Sequence, residues 1–188
     1  DGEVIHQWHA YWFKLWPDAN HLPKNLIPKQ KPGAIVHGAV VLESGNLVFN
    51  FEHLGLVCLD WNGGVQWRLP YQTHHSINRD IKGNLWVCGE KWHFESDSRL
   101  GQITGDLRHL NDVEPFPDHL EPGFFDAGDI LVSLRNINTI FVFDSKTLRI
   151  KYISSGKFVR QHDPDFIDGN TLSIFDNNHN GDAEPQSR

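Results

Sequence analysis

A turn dipeptide, Gly-Asn or Gly-Asp, returns four times along the chain, at Gly45, Gly83, Gly128 and Gly169, with spacings of 38, 45 and 41 residues. Around it lie short runs rich in Val, Ile, Leu, Phe and Trp, such as AIVHGAVVL, NLVFNF, GLVCLDW, DILVSL, TIFVFD and NTLSIFD. Runs of this length bounded by Gly, Asn and Asp read as strands. A four-stranded propeller blade takes about 40–50 residues and cannot bury both of its faces alone, so blades stack around a channel. The spacing therefore predicts an all-β chain, a β-propeller of four-stranded blades, in which about four to five blades are covered and the ring is left incomplete. A second pattern places Asp60, Gly64 and Trp67 of LDWNGGVQW in a strand-turn-strand unit that returns loosely in VFDSKTLRIKY, the expected outer hairpins.

Residues 1–188 are expected to form one propeller domain, with missing sequence or other chains completing the ring. Residues 8–30 form an irregular Trp/Pro-rich loop in this reading, because Pro17, Pro23 and Pro28 interrupt any helix. A composition of 39% hydrophobic and 22% charged residues belongs to a globular chain with a core. The formal charge is −7, from 17 Lys+Arg against 24 Asp+Glu, and no basic stripe suits a phosphate backbone, so nucleic acid is not expected as a partner. No apolar run approaches the length of a membrane-spanning helix, and no targeting segment is visible. Cys58 and Cys88 allow one disulfide, but each sits inside an apolar strand-like run, where the expected reading is a buried free thiol that behaves as a small hydrophobe.

Histidines fall in register with the glycines. His37, His75 and His162 precede Gly45, Gly83 and Gly169 by 8, 8 and 7 residues, and His109 opens the candidate strand HLNDVEPF ahead of a proline-containing insertion and Gly128. The first strand of a blade lines the channel, so these imidazoles are expected to converge. Seven residues past each glycine stand Glu52, Glu90, Arg135 and Asp176, which the antiparallel second strand returns to the histidine end. Imidazoles, carboxylates and one guanidinium form a plausible site for chemistry on a small anion.

The segments HGAVVLESGNLVF, HHSINRDIKGNLWV, HLNDVEPF, GDILVSLRNINTIFVFD and QHDPDFIDGNTLSIFDN together resemble the bacterial arylsulfotransferases. That resemblance implies a six-bladed, exported, periplasmic enzyme. Such an enzyme moves a sulfuryl group from a phenolic sulfate ester to a phenol through a sulfohistidine, without a cofactor or a nucleotide sulfate donor. Carried over by motif, the nucleophile would be His162, with His109, Arg135 and His75 as catalytic partners. Asn111, His74, His37 and Asp176 would bind substrate. Neutral imidazole is a competent nucleophile near neutral pH, and the planar guanidinium of Arg135 matches sulfate oxygens. Asp163 or Asp176 would hold the other imidazole nitrogen and select its tautomer.

Two other readings compete. Four histidines at an axis would also hold a transition metal, although a guanidinium beside a multiply charged cation is repelled, and no metal site is expected here. A non-catalytic propeller would serve as a binding or assembly subunit, with a protein partner or a second copy of itself. The tryptophans Trp8, Trp12, Trp16 and Trp61 would then form a docking patch, although core packing accounts for Trp61, Trp67 and Trp86. Asp176, Asn178, Asn180, Gly181 and Asp182 imitate the start of a calcium loop, but position twelve is Ser187 rather than glutamate, which leaves a polar turn.

Overall fold

Strands form where the sequence alternates or runs apolar, and they end where Gly, Asn or Asp opens a turn. The computed structural model describes residues 2–31, 33–89 and 108–178, which divide into two compact units. One holds the described residues up to Ile77 together with Gly89, and the other holds Asn78–Cys88 and the described residues from 108 onward.

In the first unit β1 (Val36–Val41), β2 (Leu47–Phe51), β3 (Gly55–Leu59) and β4 (Val65–Leu69) form one antiparallel sheet in sequence order. The central strands β2 and β3 are buried almost throughout. Phe49 and Phe51, two apart on β2, face one side and pack with Val57 and Leu59 against Trp12, Leu15, Trp16, Ala19 and Leu22. The stretch 8–30 thus covers the sheet as core, with Trp12 and Trp16 buried rather than displayed for docking. It contains one helical turn, α1 (Trp12–Leu15), which stops before Pro17 because the residue preceding proline is pushed out of helical backbone. Trp61 is half-exposed and stacks under His6 at 3.7 Å, so it lies outside the blade core. β5 (Thr73–Arg79) and β6 (Leu85–Gly89) pair as a hairpin, and the division between the units passes through β5.

The second unit contains the sheet β7 (Leu110–Pro115), β8 (Asp129–Leu134), β9 (Thr139–Asp144) and β10 (Ile150–Ser155), again antiparallel in sequence order. It also contains the hairpin of β11 (His162–Phe166) and β12 (Leu172–Phe175). Both faces of β8 are buried. Leu131 joins Phe116, Phe125, Ile140, Val142, Phe158 and Phe166, whereas Ile130 and Val132 join Val113 and Cys88, with Trp86 packed alongside. An isolated antiparallel sheet can leave one face in water, but a blade stacked between neighbours cannot.

Gly45, Gly83, Gly128 and Gly169 lie between β1 and β2, β5 and β6, β7 and β8, and β11 and β12. The first three have φ of +81°, +83° and +107°, which glycine adopts at no steric cost. At Gly169 the reason is space, since a Cβ would run into the backbone of Pro122 and Gly123. Asp60 and Asp144 accept backbone N–H groups in the β3–β4 and β9–β10 turns, the outer connections. Cys58 and Cys88 are buried free thiols.

Candidate functional site

The innermost strands begin irregularly, and the histidines sit at the irregularity. Pairing slips between Val36 and Ala39 on β1, between Leu110 and Asp112 on β7, and between His162 and Asp165 on β11. His75, His109 and Asp163 hold φ of +52°, +50° and +48° at this edge. Non-glycine residues pay about 1–3 kcal/mol for such backbone, and bulges re-aim side chains where function needs them. A buried asparagine also clasps a backbone carbonyl on the next innermost strand within each unit. Asn50 Nδ2 donates to the His75 carbonyl at 3.0 Å, and Asn111 Nδ2 donates to the Gln161 carbonyl at 2.8 Å.

In the first unit the edge is a cluster of imidazoles around a carboxylate. His37 and His75 rings stand 4.1 Å apart, His53 and His74 rings 4.8 Å, and the Nδ1 atoms of His74 and His75 are 2.7 Å apart. Glu52 Oε1 lies 3.4 Å from His37 Nδ1 and 3.9 Å from His53 Nε2. Gly38 makes the packing possible, because a Cβ there would run into the His75 carbonyl oxygen.

In the second unit the edge gathers His109, Asn111, Arg135 and His162. Pairing of Leu110 with Leu134 continues one step further, so the Arg135 N–H donates to the His109 carbonyl at 2.9 Å. Arg135 opens a 3₁₀ turn (Arg135–Ile137) that Asn138 closes in left-handed backbone, which asparagine tolerates. The Arg135 Nε is buried with no hydrogen-bond partner among the described residues, and so is Asn111 Oδ1.

His162 Nδ1 lies 3.1 Å from the Arg160 carbonyl oxygen. A carbonyl only accepts, so Nδ1 carries the proton in this bond and Nε2 is the basic nitrogen. Asn177 Nδ2 is placed 3.0 Å from the same Nδ1, and a half-turn of that carboxamide offers its oxygen instead. Burial pushes the imidazole below its ordinary pKa, and the charges of Arg135 and His109 push the same way. The Arg160 bond and Asp163 oppose them.

Asp176 is turned away from this ring, since its Oδ1 accepts the N–H groups of Val159 and Asn178 at 2.8 and 2.9 Å. Glu90 and the calcium-like positions from Asn180 onward lie outside the described residues.

Two residues of this edge escaped sequence reasoning. Gln161 is fully buried beside the nucleophile candidate. Glu114, two residues beyond Asp112 on β7, is pushed up to about 8 by burial and then by Asp165, Asp112 and Asp163, against an N–H from Phe166 at 3.2 Å. Alternating acids within NDVEP were its only sequence signal. Among the described residues no group of three or more His, Cys, Asp or Glu is arranged to hold a metal ion, and no helix is long and apolar enough to cross a membrane.

Residues 93–188 match the family described as arylsulfotransferase (ASST), a span that includes His109, Asn111, Arg135 and His162 but not His37, His74 or His75. Among solved structures, the chain is similar to selenomethionine-substituted virginiamycin B lyase from Staphylococcus aureus, with a TM-score of 0.50 and 13% identity. The match covers 76% of this chain and 49% of that one, so the chain spans about half the length of that structure. At this identity the likeness speaks for fold alone, and the fold is of β-propeller type. No curated protein matches the sequence.

Proposed function

Because this chain belongs to the arylsulfotransferase family, we propose that it moves a sulfuryl group from a phenolic sulfate ester to a phenol through a sulfohistidine at His162. The observation that carries the reading is the His162 imidazole, its Nδ1 engaged by the Arg160 carbonyl and its pKa pushed down by burial and by Arg135 and His109.

In the first step the Nε2 lone pair attacks sulfur, the N–S bond forms, and the S–O bond to the aryl group breaks, its electron pair leaving with the phenolate. In the second step the acceptor oxygen attacks sulfur, the N–S bond breaks, and the imidazole regains its lone pair. The acceptor's proton balances the departed phenolate, so the sum is one ester and one phenol exchanged for another pair. Arg135 supplies fixed positive charge to the sulfuryl oxygens as negative charge redistributes. The second N–H of the Asn111 carboxamide is available to the same oxygens, its first being committed to Gln161. Export to the periplasm is part of the proposal.

The test is incubation with a chromogenic aryl sulfate and no acceptor, followed by peptide mass spectrometry. One sulfuryl group is expected on the peptide that contains His162, lost again when a phenol is added. Turnover with no such adduct, or stoichiometric iron, copper or zinc needed for turnover, would overturn this mechanism.

A further inference from the structure

Gln161 is a polar side chain with no exposed surface, immediately before His162. Its Nε2 donates to Ser133 Oγ at 3.0 Å and to the Thr139 carbonyl at 3.0 Å, which uses both amide hydrogens. Ser133 lies at the end of β8 and Thr139 at the start of β9, so the two acceptors bracket the turn that carries Arg135. The adjoining backbone repeats the arrangement, with the Arg160 N–H donating to Asn138 Oδ1 at 2.8 Å in that same turn. The Gln161 carbonyl receives the Asn111 side chain. One residue is therefore bonded to the segments carrying Arg135 and Asn111, and joined by a peptide bond to His162.

The arrangement is not the one stability alone would select. The Thr139 carbonyl only accepts, so the amide nitrogen must face it, and Oε1 is left buried with no partner among the described residues. A buried acceptor without a partner costs about 1–3 kcal/mol, which an apolar side chain of similar volume would not incur. An unsatisfied group kept in a core calls for a reason other than packing.

We infer that Gln161 is a positioning residue for the proposed reaction, holding the His162 imidazole against the Arg135 guanidinium by tying the start of β11 to both ends of the Arg135 turn. The inference rests on the reading of His162 and Arg135 as the reacting pair. A displacement of about 1 Å in a reacting group costs roughly 10²-fold in rate.

The experiment compares the full chain with Gln161→Met, which keeps volume but cannot donate, with Ser133→Ala, which removes one acceptor, and with Val142→Ala as a core control away from this edge. The first readout is the NMR titration of the His162 ring, identified by its loss in His162→Asn. The charged groups acting on that ring are Arg135 from the turn, His109 at the start of β7 and Asp163 on β11. If Gln161 holds the guanidinium near the ring, His162 in Gln161→Met titrates upward, toward the ordinary imidazole value. Ser133→Ala moves it the same way by less, and Val142→Ala lowers the melting temperature without moving it. The second readout is sulfuryl transfer, where kcat falls by about 10²-fold in Gln161→Met with KM for the aryl sulfate nearly unchanged. Unchanged His162 titration in the folded Gln161 and Ser133 variants, or an equal shift in Val142→Ala, overturns the inference. If the unaltered protein transfers no sulfuryl group, the proposed function fails while the titration still decides the role of Gln161.

Discussion

The two units build the same edge and charge it oppositely. Each begins an innermost strand with a slipped register and a histidine, and each clasps the next strand through a buried asparagine, Asn50 in one and Asn111 in the other. The residue seven past the turn glycine then differs: Glu52 stands beside His37 and His53, whereas Arg135 stands beside His109 and His162. A carboxylate favours the imidazolium form of its neighbours, and a guanidinium disfavours it. The backbone thus supplies a place where imidazoles gather, and the side chain seven past the glycine sets the sign of the charge beside them. On the proposed reading, function depends on that charge rather than on the propeller.

The sharpest break of the comparison removes the lone pair. His162→Asn keeps a polar side chain of similar size but no basic nitrogen, so sulfuryl transfer is expected to fall by about 10⁴-fold or more with the melting temperature little changed. Steady-state assay and thermal denaturation check both halves. Next, Arg135→Leu makes the second edge lose its distinguishing charge. Transition-state stabilisation of this type is worth about 10²–10³-fold, and kcat and KM should both suffer because the guanidinium acts on bound ester and transition state alike. The same variant should titrate His162 at higher pH, since a repelling positive charge has gone.

Part of this edge was legible because glycine opens the hairpins and His37, His75 and His162 keep register with it, whereas His109 stands ahead of an insertion and was marked only by opening the strand-like run HLNDVEPF. The turns at Gly45, Gly83 and Gly128 require positive φ, a backbone demand visible in the residue type itself. Arg135 was singled out by counting along β8, which pairs with β9 without slippage over its whole length. Counting failed on β11 and just past β12. The slip between His162 and Asp165 changes which residues face the ring, so Asn177 rather than Asp176 stands beside Nδ1. Gln161 was unreadable because its partners Ser133 and Thr139 lie on strands more than twenty residues away. The prolines of the stretch 8–30 made its lack of regular structure readable, but not that Trp12 and Trp16 within it pack against Phe49 and Phe51.

Glu114 sharpens the comparison from the stability side, because the second edge also holds an acid that burial keeps protonated. Its folded-state pKa of about 8 lies above the ordinary 4.5. Below pH 4.5 both folded and unfolded chains carry the proton. Between 4.5 and about 8 the unfolded chain releases it while the folded chain keeps it, so this group lowers stability progressively as pH rises, and above 8 the loss is complete. Glu114→Gln retains an acceptor for the Phe166 N–H and carries no charge to bury. It should therefore be more stable than the unaltered protein at pH 8.5, by on the order of a few kcal/mol, with the difference vanishing toward pH 4.5. Melting temperatures of the two proteins across that range provide the check, and a constant difference at all pH values would contradict the assignment.

The smallest effect is expected where the first edge looks most like a designed pair. Glu52 Oε1 sits 3.4 Å from His37 Nδ1, but the two side chains are 33% and 36% exposed, so water screens the charge and the imidazole must first be protonated. An ion pair of this kind is worth about 0–1 kcal/mol. For a chain of this size 1 kcal/mol moves the melting temperature by about 2–4 °C, so Glu52→Gln should lower it by no more than that. What holds this edge is Asn50, fully buried, which accepts the Gly38 N–H and donates to the His75 carbonyl, both at 3.0 Å. Glu52 shapes charge without carrying the fold, and that is the condition under which the same position can hold Arg135 in the other unit. If Glu52→Gln instead unfolded the chain or cost several kcal/mol at every pH, the position would be structural, and the contrast between the two edges would not reduce to a single exchangeable charge.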